Sequence, residues 1–557
     1  MYQPQNPLIV QSDRTILLET ASPRFEEARD RLSVFAELLK SPEHIHTYRI
    51  SALSLWNAAA LGVSPESVKQ TLTEMGKYDV PDNISADIDD VMSRYGRLKL
   101  VKDGERLFLQ TEDHILLEEI CSFNAMQEHL LSRPMGDRVE VRADQRGFLK
   151  QALIKLGYPV EDLAGYMEGA ELDVDLRSPT LAGDPFGLRD YQQEAVGAFY
   201  AGGTVRGGSG IVVLPCGAGK TVVGIGVMDQ IKTNTLILTT NTTALRQWRD
   251  EILDKTSLPP EMVGEYSGYS KDIQPVTVTT YQILTYRKSK DAPFKHFQIF
   301  EQGNWGLIIY DEVHLLPAPV FRAVANLQSL RRLGLTATLV REDGKEGEVF
   351  SLIGPKKYDV PWRVLEKRGF IATALCTEVR VPFADTELRM EYALAEPRQK
   401  FRLAATNPGK LAVLRTLLET HSKDRVLIIG QYIDQLKEVS RLLGAPLITG
   451  RTNQSKREEL YESFRTGEVP HLVVSKVANF AVDLPDANVA IQISGTFGSR
   501  QEEAQRLGRV LRPKKNSNTA RFYSVVTRDT TEQDLSSKRQ LFLTEQGYRY
   551  EIVNHEG

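Results

Sequence analysis

The 557-residue chain predicts an α/β fold in which two parallel-sheet domains stand in tandem behind α+β accessory domains. Three observations carry this. Runs such as 235–239, 276–280, 306–310 and 332–336 are apolar without regular polar alternation, which marks strands buried on both faces and hence a parallel sheet under helices. A second set of the same kind begins at 426–429 and continues through 472–474 and 489–493. The length itself, at roughly 100 to 200 residues per domain, calls for several cores rather than one.

Taken in order, residues 1–122 alternate short apolar strands with helices and form an N-terminal accessory domain. Within it 56–60 has helical propensity, and Ser64 caps a helix whose first position is Pro65. Residues 125–180 form a smaller unit, with 138–142 alternating like a strand and 145–156 repeating apolar residues at helical spacing. The Pro- and Gly-rich stretch 178–187 reads as a linker. Residues 181–365 and 366–557 are the two α/β domains.

Composition narrows the function classes. A content of 41% hydrophobic and 25% charged residues is that of a soluble globular protein. The net charge of −4 excludes a uniformly basic surface, so nucleic acid would have to bind through local basic strips. Cys121, Cys216 and Cys376 form no CxxC pair, which argues against a disulfide framework or a four-cysteine metal site and fits a reducing compartment. His44 and His46 have no third ligand near them. Neither an export signal nor a membrane-length apolar run is visible, so the expectation is a cytoplasmic protein with no membrane partner.

The chemistry is concentrated in a few motifs. In 211–221 an apolar strand runs into a glycine-rich turn ending in Lys220 and Thr221. Gly217 and Gly219, with Ala218 between them, let backbone N–H groups curl around phosphates; Lys220 supplies a point charge, Thr221 a hydroxyl for Mg²⁺, and the next helix its positive end. A full P-loop would have glycine at position 214, where Leu214 stands. After a second buried strand come Asp311, suited to the Mg²⁺ shell, and Glu312, suited to orienting or deprotonating water; alone the pair also fits a solvated loop.

Ahead of the P-loop, Arg189 and Gln192 stand in 188–192, where the Gln192 amide fits an adenine edge or an ordinary helix cap. Thr336 and Thr338 follow a strand end and suit a hydrogen-bonded hinge. In the second α/β domain, 505–512 sets Arg506, Arg509 and Arg512 three residues apart beside Gln505. Their guanidinium groups could neutralise charge on a γ-phosphate in transfer, coupling hydrolysis to domain motion, or form a solvated basic face.

Together these residues resemble superfamily 2 helicases and, more closely, the XPB family of DNA repair helicases. The likeness rests on 214–221, Asp311-Glu312-Val313-His314, 334–338 followed by Arg341-Glu342-Asp343, 353–358, 482–494 and 505–512, and extends to 47–55 and 95–100. It implies two tandem RecA-like motor domains, a damage-recognition-like domain within 125–180, and a thumb-like insertion at about 382–410. It further implies an ATP- and Mg²⁺-dependent 3′-to-5′ DNA helicase in repair, acting as a monomeric, nucleoid-associated motor on single-stranded, forked or damaged DNA, with a nuclease as partner. Asp483 would contact ribose, although Asn479-Phe480-Ala481-Val482 precedes it where many helicases have a glycine. Arg341, Glu342 and Asp343 would serve unwinding.

In the thumb, Arg389, Arg398, Lys400, Arg402 and Lys410 could grip phosphates, with Tyr392 and Phe401 stacking on bases; a solvated amphipathic hairpin reads equally well. The chain lacks the long charged extensions of eukaryotic members, which implies a compact prokaryotic form. Two other functions remain open: a double-strand translocase that remodels complexes without separating strands, and a non-catalytic scaffold recruiting a nuclease.

Overall fold

A computed structural model describes residues 2–41, 44–215, 217–287, 294–317, 319–320, 324–325, 327–328, 330–337, 346–360, 362–370, 373–475, 487–495, 519–545 and 549–555. The chain divides into two compact units, one of Met1–Glu37, Thr47–Leu214 and Gly219–Val360, the other of Leu38–His46, Pro215–Ala218 and Pro361–Gly557.

The first unit is built on a seven-stranded sheet, in the order Val263–Tyr266, Val276–Thr280, Thr235–Thr239, Leu307–Asp311, Arg331–Thr336, Ser209–Val213, Lys356–Asp359. Every pairing is parallel. Leu236, Ile237, Ile308, Ile309 and Leu333 are fully buried, as continuous apolar runs require. Buried threonines fit where the hydroxyl finds a carbonyl: Thr239 donates to Thr279 O and Thr279 to Tyr266 O. Because all strands run one way, the segments following Ser209–Val213, Leu307–Asp311 and Arg331–Thr336 emerge along one edge of the sheet, side by side.

The boundary expected between 122 and 125 falls inside a single sheet. Leu98–Asp103 pairs with Arg106–Gln110 on one side and Val160–Asp162 on the other, and Arg106–Gln110 pairs with Arg138–Val141. Leu98, Leu100, Leu109, Val139, Val141, Leu149 and Leu153 share one core. The intervening helix His114–Ser122 hides this in the sequence, since pairing joins strands on either side of it. The helix Arg146–Lys155 forms where the apolar spacing places it, and Ser64 accepts the Ser67 N–H as expected of a cap.

This accessory sheet is fastened to the motor sheet. Ala170 N–H donates to Asn304 O, Asn234 N–H to Ala170 O, and the Thr233 hydroxyl to Glu168 O. Gly147 sits so close to the motor that a Cβ there would lie 2.6 Å from Ala325 Cα. Beside it a buried polar cluster crosses the junction. Asp162 accepts from Arg146 at 2.6 Å and Lys150 at 3.0 Å, and Lys150 also donates to Gln328 Oε1 at 2.8 Å. Arg332, fully buried, donates to Leu352 O, Gln328 O and Ser209 Oγ. Burial alone would raise the Asp162 carboxyl, but Lys150 and Arg146 outweigh it and hold the group far below the usual carboxylate range. Burial, opposed by Asp162, lowers the Lys150 ammonium to about 8. The stretch 178–187 has no regular structure, yet Leu181 and Ala182 N–H groups bind Asp254.

The second unit carries its own seven-stranded parallel sheet, ordered Leu447–Ile448, His471–Ser475, Val426–Gly430, Val489–Gln492, Thr519–Thr527, Thr373–Val381, Arg549–Asn554. The tandem α/β architecture is thus as the apolar runs predict. The span 382–410, expected as a thumb-like insertion, contains two helices, Thr386–Leu394 and Pro397–Ala405. Three of its residues differ from expectation. Phe401 is a core residue at 1% exposure, and Lys410 is equally buried, with Nζ 2.7 Å from both carboxylate oxygens of Glu532. Tyr392 packs against Phe383, takes the Thr531 N–H on its hydroxyl, and lies under the Lys400 ammonium. These groups stabilise the unit's interior; Arg389 and Arg402 remain on the surface.

Candidate nucleotide site

The P-loop glycines adopt the backbone their type permits. Gly217 and Gly219 both have φ of 81°, in the left-handed region, and the helix Lys220–Ile231 starts directly after Gly219. Its first-turn N–H groups, which have no intrahelical acceptor, are a ready anion site. A Cβ at Gly219 would lie 2.6 Å from Gln192 Nε2, so the Gln192 amide closes one side of the loop. Gln192 Oε1 accepts the Arg189 N–H at 3.0 Å, which makes it a helix cap as well. The Arg189 side chain donates to the Tyr191 hydroxyl.

Opposite the loop, Lys220 Nζ stands 3.4 Å from Glu312 Oε1. Glu312 has φ 49° and ψ 56°, a left-handed backbone that is costly for a residue with a Cβ and recurs at functional sites. Its second oxygen lies 3.5 Å from His314 Nδ1, which is 2.6 Å from Thr336 Oγ1. Lys220, Glu312, His314 and Thr336 thus form one chain of contacts across three strand ends. Leu214 N–H donates to Thr336 O and closes the circuit along the backbone.

Asp311 is held separately. Trp248 Nε1–H donates to its Oδ2 at 3.0 Å, and Tyr281 OH to its backbone carbonyl at 2.9 Å. Burial, then Glu312, pushes the Asp311 carboxyl up to about 6, while the Trp248 hydrogen bond and Lys220 act the other way. The residues fit a magnesium–nucleoside triphosphate: left-handed glycines, a helix N-terminus, an ammonium, the Thr221 hydroxyl and two carboxylates of different environment. Among the described residues no group of three or more His, Cys, Asp or Glu could cage a metal. A Mg²⁺ here would therefore rest on Thr221 and Asp311, with phosphate oxygens and water completing its shell.

The structure brings together Arg189, Gln192, Gly219, Lys220, Asp311, Glu312 and Thr336. Thr338, Arg341, Glu342, Asp343, Asp483, Gln505, Arg506, Arg509 and Arg512 lie outside the described residues, as does the Arg398 side chain. Two participants are not evident from motif spacing. Trp248 reads only as an apolar position between Leu245 and Ile252 of the helix Thr242–Lys255. His314 stands in the acidic motif, but its link to Thr336 needs the parallel neighbour strand.

Comparison with known proteins shows the family. The chain is 54% identical over 549 residues to a protein of Kineococcus radiotolerans named DNA 3'-5' helicase XPB, covering 98% of this chain and 96% of that one. The chain belongs to the XPB helicase family. Another XPB protein of the same name, from Mycobacterium tuberculosis, is 52% identical over 547 residues, covering 98% and 97%. An Encephalitozoon cuniculi protein named General transcription and DNA repair factor IIH helicase/translocase subunit XPB is 34% identical over 565 residues, covering 98% and 83%. Residues 365–557 match the family described as ERCC3/RAD25/XPB C-terminal helicase. Residues 8–134 match Helicase conserved C-terminal domain, and 185–341 match Type III restriction enzyme, res subunit.

Proposed function

We propose that this XPB family chain is an ATP-dependent 3′-to-5′ DNA helicase that couples hydrolysis to unwinding in DNA repair. The observation that supports it most is the contact chain Lys220, Glu312, His314, Thr336, which ties the phosphate-binding loop to the acidic motif and to the strand end beyond it. In this reading Lys220 leaves Glu312 for the β and γ phosphates, and Glu312, released, takes a proton from the attacking water. Gln192 and Arg189 face the adenine side, Thr221 and Asp311 hold Mg²⁺, and Asp483 meets the ribose. Bound Mg²⁺ supplies charge neutralisation on the phosphates. Gln505, Arg509 and Arg512 are assigned to the γ-phosphate, where positive charge stabilises the transition state.

Thr336 and Thr338, with Arg341, Glu342 and Asp343, are assigned to passing the hydrolysis step to DNA, and Arg398, Lys400 and Arg402 to phosphates of the tracked strand. A nuclease acting on the unwound product is the proposed partner, and the nucleoid the proposed location; no described helix is long and apolar enough to cross a membrane. The word translocase in the Encephalitozoon cuniculi name favours a second reading, motion along duplex without strand separation. Strand displacement run beside triplex displacement on one preparation separates the two. Helicase action requires ATP-dependent release of a strand from a 3′-tailed duplex, and triplex displacement alone would favour the second reading.

A further inference from the structure

Trp248 is 1% exposed on the helix Thr242–Lys255, and Leu245 and Ile252 are buried from the same helix. Those neighbours account for an apolar residue; they do not account for an indole. The indole touches two elements of the nucleotide site. Its N–H donates to Asp311 Oδ2 at 3.0 Å. Its far edge lies on the helix that Lys220 opens, so that a Cβ at Gly224 would sit 2.5 Å from Cη2.

The two acidic side chains therefore have different partners. Glu312 faces an ammonium, Lys220, whereas Asp311 is gripped by a neutral donor. An ammonium on Asp311 would cancel the charge that attracts a cation; an N–H fixes one carboxylate oxygen and leaves the negative charge in place. We infer that Trp248 is a positioning residue for the metal-bearing carboxylate, locking Asp311 in the orientation that receives Mg²⁺. The inference rests on the reading of Asp311 as a Mg²⁺ ligand.

The test is binding rather than turnover. Affinity of the full chain for a fluorescent ADP analogue is measured with Mg²⁺ and with EDTA. Trp248→Phe keeps the ring and removes the donor: the Mg²⁺-dependent gain in affinity should shrink about tenfold, the size of one charge-assisted hydrogen bond, with the EDTA value unchanged. Leu245→Ala loosens the same helix and should lower the melting temperature while keeping the Mg²⁺ gain. An undiminished gain in Trp248→Phe overturns the inference. Asp311→Ala tests the underlying reading on its own, because retention of the Mg²⁺ gain there removes Asp311 as ligand. Should Trp248→Phe fail to fold, the wild-type protein decides: Mg²⁺ added to its ADP complex should change tryptophan emission, and the change should vanish in Asp311→Asn. Emission indifferent to Mg²⁺ overturns the inference.

Discussion

Lys220 and Glu312 face each other across 3.4 Å, both side chains more than four-fifths withdrawn from water. An ammonium that binds phosphate must first give up this carboxylate. Glu312→Gln should therefore bind nucleotide at least as tightly as wild type while turnover falls by about 100-fold or more, the scale of a lost general base. Lys220→Ala should stay folded and lose both binding and DNA-stimulated hydrolysis. Equilibrium nucleotide binding alongside phosphate release checks both.

The His314–Thr336 contact of 2.6 Å joins the acidic motif to the neighbouring strand end. Thr336→Val keeps the shape and removes the hydroxyl. ATP hydrolysis should persist while base pairs opened per ATP decline several-fold, measured by following both signals in one reaction. An unchanged ratio would remove Thr336 from the coupling path.

At the accessory junction, Asp162→Asn leaves Lys150 and Arg146 buried without their counter-charge and should cost about 3–5 kcal/mol. The sign with pH follows from the lowered carboxyl. In a group whose folded pKa is depressed, stabilisation is fully present above the unfolded value, about 3.9, and fades as pH falls below it. The gap in melting temperature between wild type and Asp162→Asn should stay level from about pH 5 to 7 and narrow below about pH 4.

Lys410 is predicted to act on stability and not on DNA. Breaking its pair with Glu532 by Lys410→Ala should destabilise the second unit by about 3–5 kcal/mol, and Lys410→Met with Glu532→Met should recover much of that. DNA affinity of the double variant should keep the wild-type salt dependence. A flattened salt slope would return Lys410 to the DNA surface.

The motor sheets were legible because parallel strands under helices must be apolar throughout, a pattern that 235–239 or 426–429 shows without any tertiary knowledge. The left-handed Gly217 and Gly219 and the approach of Lys220 to Glu312 could be anticipated because backbone freedom and charge are properties of residue type. Lys410 and Phe401 were not, since a basic residue reads as surface until its partner appears 122 positions later in Glu532. The same holds for Trp248, whose single hydrogen bond decides its role, and for the accessory sheet, whose strands pair across a helix. Gln192 shows a different limit: one side chain both caps a helix and leans on the phosphate loop.

The cluster around Asp162 reaches Ser209 and Arg332, the first turns of chain in two strands whose other ends carry the phosphate loop and Thr336. An accessory region wired this way is poor material for shuffling between enzymes. Transplanted onto a motor without a counterpart of Gln328, it would keep Asp162 beside the buried Lys150 ammonium but lose the amide oxygen to which Lys150 also donates. Inheritance of the accessory region and the engine as one piece is favoured by that buried polar seam, and an engineered chimera joined at 178–187 would need its buried hydrogen bonds rebuilt across the junction.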